Sequence, residues 1–287
     1  MSQTNTVGIF GKAKHPDVEA LARKLSRLAL EHGWKVLVEP DLGEGVSGAG
    51  RASAEEVAAR SDIVVVLGGD GTMIRVTRLL GNKEVPIFGV NLGFLGFLTE
   101  FTTEEAPVHF SRLLDGKFDV ERRVRLRAAL LRKDQQVIAV DVLNEAVVGS
   151  GIARIVLVHV EINGVYVTSC RGDGLIVATP TGSTAYSMAA GGPILVPETP
   201  ALVVAPICPH TLTMRPLVVD DRAKIQIWVE RTHDHEKLQA TFDGQQEQEI
   251  LPGDRLCIER AQAGVLLVKP PRDYYQILRA KLKWGQG

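Results

Sequence analysis

The sequence predicts an α/β domain with a mostly parallel sheet at the N-terminus and an all-β sandwich after it. Three observations lead there. Up to Phe101, strand-sized apolar runs alternate with stretches of helical periodicity, the pattern of a parallel sheet covered on both faces. Beyond Phe101 the chain turns to short β-branched runs separated by turn signals. Its 287 residues fit one or two domains, since about 150 residues per domain is typical.

Taken in order, Val7-Gly8-Ile9-Phe10 is an apolar strand. Val18, Leu21, Ala22, Leu25, Leu28 and Ala29 then recur at helical spacing up to the stop signal His32-Gly33. Lys35 to Val38 is a second strand. The stretch from Asp41 to Gly50 is too rich in glycine for a regular element and is expected to be a surface loop, a lid or an insertion. Ser53 can cap a short helix over Ala54 to Arg60, and Asp62 to Leu67 is a fully buried strand. After Gly71 a helix is predicted from about Thr72 to Leu80, and Pro86 to Val90 supplies another strand. Asp115-Gly116 marks the connection. The second domain then shows strands at Arg127 to Leu131, Gln136 to Val142, Ile155 to Ile162, Val165 to Thr168 and Lys224 to Val229, with Asn163-Gly164 as a hairpin turn.

Composition excludes several classes. Lys plus Arg is 33 against 34 for Asp plus Glu, a net charge of −1, so the broad basic footprint of a dedicated nucleic-acid binder is missing. The longest apolar runs, Ile63 to Leu67 and Ile155 to Val160, are far short of the roughly 20 residues of a membrane helix. Met1 to Thr6 lacks the basic and apolar regions of a signal peptide, which makes the cytoplasm the expected location. Cys170, Cys208 and Cys257 are odd in number and far apart, and read as small buried hydrophobes. His233 and His235 flank Asp234 and could chelate a metal, although a solvated hairpin tip fits the segment better.

The strongest chemical signal is Gly68-Gly69-Asp70-Gly71-Thr72, between an apolar strand and a helix. Ligands of open parallel sheets sit beyond the carboxyl ends of strands. Glycines let main-chain N–H groups approach a phosphate, and the helix N-terminus adds its positive end. A carboxylate at Asp70 would repel phosphate unless it serves through Mg²⁺ or acts as a base on an incoming hydroxyl, so the combination suggests phosphoryl transfer. A tight turn with a solvent-facing Asp fits the pentapeptide alone equally well. No G-K-[ST] follows and the G-x-G-x-x-G pattern is absent.

A second segment, Thr179-Pro180-Thr181-Gly182-Ser183-Thr184-Ala185-Tyr186-Ser187 with Gly191-Gly192-Pro193 behind it, gathers hydroxyls, small residues and an aromatic ring, a set suited to a ribose and a flat base. Asn144-Glu145, at a strand end, can grip paired ribose hydroxyls, although an ordinary polar turn fits the pair alone better. Arg171-Gly172-Asp173-Gly174 and Asp243-Gly244-Gln245 are turn motifs of ambiguous role.

Together and in this order, these motifs resemble the bacterial type of NAD kinase (the ATP/polyphosphate-NAD kinase family). Further points of resemblance are the Gly89-Val90-Asn91-Leu92-Gly93-Phe94-Leu95-Gly96-Phe97-Leu98 run and Pro209-His210-Thr211-Leu212 before Arg215-Pro216-Leu217. The G-G-D-G turn is shared with diacylglycerol, sphingosine and phosphofructo-kinases; the T-P-T-G-S-T-A-Y-S run singles out this family. The resemblance implies an α/β nucleotide- and phosphate-binding domain over residues 1–118, rejoined by a tail at 269–287. It implies an NAD-binding β-sandwich over 119–268, with the site between the two. It also implies phosphorylation of the adenosine ribose 2′-hydroxyl of NAD by ATP with Mg²⁺ or another divalent cation, or by polyphosphate, in a homodimer or homotetramer. By motif position, Asp70 would take the proton of that hydroxyl, with Gly68, Gly69, Gly71 and Thr72 lining the phosphate turn. Asn144 and Glu145 would hold the ribose and adenine side, while Thr184, Ala185, Tyr186, Ser187, Met188 and Ala189 would line the dinucleotide pocket. Asp173 would hold the nicotinamide end or a subunit-bridged contact, and Gln245 would close the pocket. Arg154 and Arg171 are candidate pocket cations by spacing, and Arg75, one helical turn beyond Asp70, could reach a phosphate.

Overall fold

Strand β1 (Thr6–Gly11) is buried along its whole length, and the chain leaves it into helix α1 (Pro16–Glu31). The computed structural model describes residues 5–11, 16–42, 46–93, 95–150, 155–230 and 238–284. Next come β2 (Lys35–Val38), the two-residue β3 (Gly50–Arg51), α2 (Ala54–Arg60), β4 (Ile63–Leu67), α3 (Asp70–Leu80), β5 (Pro86–Val90), α4 (Ala106–Leu114) and β6 (Val120–Arg123). Twelve strands follow: β7 (Leu126–Arg132), β8 (Gln135–Val142), β9 (Glu145–Ser150), β10 (Val156–Ile162), β11 (Val165–Gly172), β12 (Gly174–Ala178), β13 (Ala201–Ile207), β14 (Leu217–Asp220), β15 (Ile225–Glu230), β16 (Leu238–Phe242), β17 (Gln246–Ile250) and β18 (Arg255–Arg260). Helix α5 (Tyr186–Ala189) lies between β12 and β13, and β19 (Val265–Val268) and α6 (Tyr274–Leu282) end the chain.

The chain divides into two units, Met1–Arg122 with Ala263–Gly287, and Arg123–Gln262. The first holds a seven-stranded sheet in the order β3-β2-β1-β4-β5-β19-β6. Strands β3, β2, β1, β4, β5 and β19 pair in parallel. Alternation along β1 shows how both faces are covered. Val7 and Ile9 pack with α1 and α4 side chains such as Leu25 and Phe110, whereas a Cβ on Gly8 would strike Val57 and Ser61 at the other face. Sheet order reverses between β1 and β4, so the turn after β4 opens at a topological switch point, where such sheets take ligands.

The second unit is a sandwich of two six-stranded sheets, β11-β10-β15-β18-β7-β8 and β14-β13-β12-β9-β16-β17, with antiparallel pairing between the strands. Side chains alternate inward along β15 and β16, and the inner faces meet in one core that includes Leu130, Val158, Val177, Leu202 and Ile258. Strand β12 is buried on both faces, because Ile176 and Ala178 on its outer side pack with Val203, Ala205, Ala190 and Leu195. That second layer holds the 179–195 segment against the sheet.

Two expectations change, at the glycine-rich stretch and at the cysteines. The glycine-rich stretch supplies regular structure at its edges, a 3-10 turn at Pro40–Leu42 and β3, since main-chain pairing to β2 needs no side chain. The return to the first unit includes β19, which pairs with β5, as well as the tail after residue 268. Cys170 is buried as expected, but Cys208 is exposed and Cys257 half-buried. His233 and His235 lie outside the described residues.

Candidate active site

In the first unit the turn after β4 delivers Asp70 as the first residue of α3, with Gly69 as an extended N-cap that makes no side-chain cap. Gly68 is needed for contact, because a Cβ there would lie 2.6 Å from Thr72 Oγ1. Cβ atoms on Gly69 and Gly71 would meet nothing within 4 Å. Those positions border open space at a helix N-terminus, a place where main-chain N–H groups favour an anion.

The Asp70 carboxylate is held from the opposite side by residues 97–99. Oδ2 accepts from Phe97 N at 2.9 Å, and Oδ1 accepts from Leu98 N at 3.0 Å, Thr99 N at 3.2 Å and Thr99 Oγ1 at 3.3 Å. Gly96 makes room for it, since a Cβ there would come within 2.1 Å of Oδ1. Arg75 turns away from this cluster toward the end of β2. Its NH2 donates to both oxygens of buried Glu39 at 2.8 and 2.9 Å, and Glu39 Oε1 also accepts from Gly11 N at 2.7 Å. Glu39 thus ties α3 to the ends of β1 and β2, a role with no local signal in the sequence beyond an acid directly after a strand.

In the second unit, Asn144 directly precedes β9 and Glu145 begins it, and both are organised by Asp243 in the β16–β17 turn. Asp243 accepts from Leu143 N at 2.8 Å, Asn144 N at 2.7 Å and Glu145 N at 3.1 Å. Thr179 closes the other side: its hydroxyl donates to Leu143 O at 2.6 Å and its N–H to Asn144 O at 2.9 Å. Gly182 is pressed so close that a Cβ would stand 2.1 Å from Asn144 O. The hydroxyls of Thr179, Ser183 and Thr184 are engaged with main-chain atoms of their own region, so they build the segment. Tyr186 is exposed beside them.

Glu145 is only 6% exposed, and its Oε2 has no hydrogen-bond partner among the described residues. Burial, followed by the neighbouring Asp243 charge, pushes its carboxyl up to about 8 against the opposing hydrogen bond from the Tyr186 main chain. Ser187 Oγ is likewise buried without a partner, against Gly192. One carboxyl oxygen and a hydroxyl left open beside the Tyr186 main chain are places for a polar ligand.

The structure therefore gathers Asn144, Glu145, the 184–189 segment and the Asp243–Gln245 turn. Arg171 and Asp173 stand elsewhere, before β12, with Thr179 following its far end about 20 Å away at about 3.3 Å per strand residue. Asp173 lies beside Cys208, whose thiol it pushes up by hydrogen bonding and charge. Arg154 falls outside the described residues. Sequence reasoning left Asp243 ambiguous and passed over Glu39 and Thr99. A D-G turn and an N-x-G run were the available signals.

Family models described as the ATP-NAD kinase N-terminal and C-terminal domains match residues 7–118 and 143–269. The NAD kinase of Geotalea daltonii is 44% identical over 98% of this chain and 99% of its own. That of Thiobacillus denitrificans is 38% identical over 98% of each. Among experimental structures, yeast NADH kinase complexed with NADH superposes with a TM-score of 0.90 at 26% identity, covering 100% of this chain and 89% of that one. An NAD kinase from Archaeoglobus fulgidus in complex with ATP gives a TM-score of 0.78 at 29% identity, over 98% of this chain and 100% of that one.

Proposed function

The chain belongs to the NAD kinase family, and we propose that it transfers the terminal phosphate of ATP, or of inorganic polyphosphate, to the 2′-hydroxyl of the adenosine ribose of NAD, giving NADP. The observation that carries this reading is the fixed carboxylate of Asp70 beside the open glycine turn. In it, Gly68, Gly69, Gly71 and Thr72 form the phosphate turn, and Asp70 takes the proton of the attacking hydroxyl. A positioned base contributes about 10²- to 10⁴-fold to such a step. Arg75 is a candidate phosphate contact by its position one helical turn beyond Asp70, a role for which it would have to turn back from Glu39.

Asn144 and Glu145 hold the ribose and adenine side of NAD. Thr184, Ala185, Tyr186, Ser187, Met188 and Ala189 line the dinucleotide pocket and Gln245 closes it. The unpartnered Glu145 Oε2 and Ser187 Oγ support this assignment. Asp173, at the other end of β12, serves the nicotinamide end or a contact with another subunit, and Arg154 and Arg171 are candidate pocket cations by their sequence positions alone. ATP would come with Mg²⁺ or another divalent cation; with Asp70 as the acid facing the turn, such a cation would supply neutralisation of charge on the transferring phosphoryl group.

We place the enzyme in the cytoplasm as a homo-oligomer, a dimer or tetramer formed through the second unit. Exposed Val165 and Tyr166 on edge strand β11, and Leu217 and Val218 on edge strand β14, support association there. No helix among the described residues is long and apolar enough to cross a membrane. The activity is tested by mixing the protein with ATP, Mg²⁺ and NAD and reading product with an NADP-specific dehydrogenase. ATP-dependent NADP formation is expected. No NADP from folded protein, even with polyphosphate or NADH substituted, would overturn the reading.

A further inference from the structure

Thr99 is fully buried, and its hydroxyl stands between two polar groups. Asn91 Nδ2 lies 2.9 Å from Oγ1, and Asp70 Oδ1 lies 3.3 Å from it on the other side. The direction of the chain of bonds follows from counting protons. Gly93 N–H points at Asn91 Oδ1 at 2.7 Å, so that oxygen is the acceptor and the Asn91 amide nitrogen faces Thr99 as donor. Thr99 Oγ1 accepts from Asn91, and its single proton is left for Asp70.

This makes the two oxygens of Asp70 unequal. Among the described residues, three donors meet Oδ1 and one meets Oδ2. A carboxylate oxygen offers about two lone-pair directions, so Oδ1 is saturated and Oδ2 keeps one. The 96–99 segment packs closely on its neighbours: a Cβ on Gly89 would lie 2.9 Å from Leu98 O, and one on Gly96 2.7 Å from Thr99 Oγ1. Among the described residues, Arg75 is paired with Glu39 and the Lys281 ammonium lies over the Phe97 ring.

We propose that Thr99 is a positioning residue for the phosphoryl transfer: with Asn91 behind it, its hydroxyl anchors Asp70 Oδ1 so that Oδ2 is the oxygen presented to the acceptor. The proposal rests on Asp70 being the base. Oδ2 takes the proton of the 2′-hydroxyl as that oxygen bonds to the γ-phosphorus, and ADP departs with the electron pair of the broken P–O bond. Thr99 touches neither substrate.

The test is a kcat-against-KM comparison of Thr99→Val, which keeps the shape and removes the hydroxyl, with Thr99→Ser, which restores it. Thr99→Val should lower kcat about 10- to 100-fold, the scale of a small misplacement of a reacting group. Its KM for NAD and its calorimetric NAD affinity should stay within about twofold, because only the transition state is affected. Thr99→Ser should stay within about threefold of wild type in kcat. A wild-type kcat in Thr99→Val, a loss confined to KM, or a Thr99→Ser as slow as Thr99→Val would each overturn the proposal. If Thr99→Val does not fold, Asn91→Asp decides, since it keeps the acceptor for Gly93 and draws the Thr99 proton away from Asp70; turnover equal to wild type there would overturn it. Asp70→Asn is measured alongside. Full turnover in that variant removes the base assignment itself, whereas an inert Asp70→Asn beside an unaffected Thr99→Val removes only the positioning.

Discussion

Glu145 is a carboxyl that folding keeps protonated over a pH range in which the unfolded chain ionises it. Its value moves from 4.5 to about 8, chiefly by burial and then by the Asp243 charge. Between those values the folded protein holds a proton that the unfolded chain releases, so stability falls as pH rises through the window and levels off above it. Glu145→Gln should remove that slope, so its thermal-unfolding curve should gain on the wild type toward the upper end of the window. Parallel curves for the two proteins would contradict the burial argument. Asp243 belongs to the same account. Asp243→Ala strips three main-chain N–H groups of their acceptor and should cost about 1–3 kcal/mol for each one left buried and unsatisfied, with a raised KM for NAD. Neither role could be read from sequence. Asp243 acts on a strand start about a hundred residues away, and an Asp-Gly pair announces a turn without saying what its carboxylate holds.

At the scale of elements, local chemistry was the better guide. Alternating periodicity gives β1, α1, β2, α2, β4, α3 and β5 because each is built from residues adjacent in sequence. The Asn163-Gly164 hairpin also forms, with both residues at positive φ. Strand β19 was not legible because its partner, β5, lies far away in the sequence, and no local signal separates it from the sandwich strands before it. The hydroxyl-rich segment teaches a related lesson. Its composition suggests ligand contact, yet Thr179 and Ser183 are engaged with main-chain atoms, and their work is to seat the chain beside Asn144. Gly182 marks the tightest point of that seat. Gly182→Ala should displace the 179–187 segment from Asn144, weaken NAD binding in a calorimetric titration and lower Tm; unchanged affinity would show that the segment's position is unimportant for the ligand.

Across the whole molecule, the sequence places the phosphate turn and the hydroxyl-rich segment in two structurally different units, each with its own core. The sandwich carries two edge strands with exposed apolar side chains, β11 and β14, and the homo-oligomer proposed here should appear in light scattering as a multiple of the chain mass. A monomer mass at micromolar concentration would contradict it. In the proposed reaction, the carboxylate held by residues 97–99 beside the glycine turn is the group that takes the proton. The most direct measurement is NADP formation by Asp70→Asn beside wild type, with NAD affinity measured on the same two samples. The account predicts a folded variant that binds NAD as wild type does and has lost most of its turnover; a folded Asp70→Asn with near-normal kcat would contradict it.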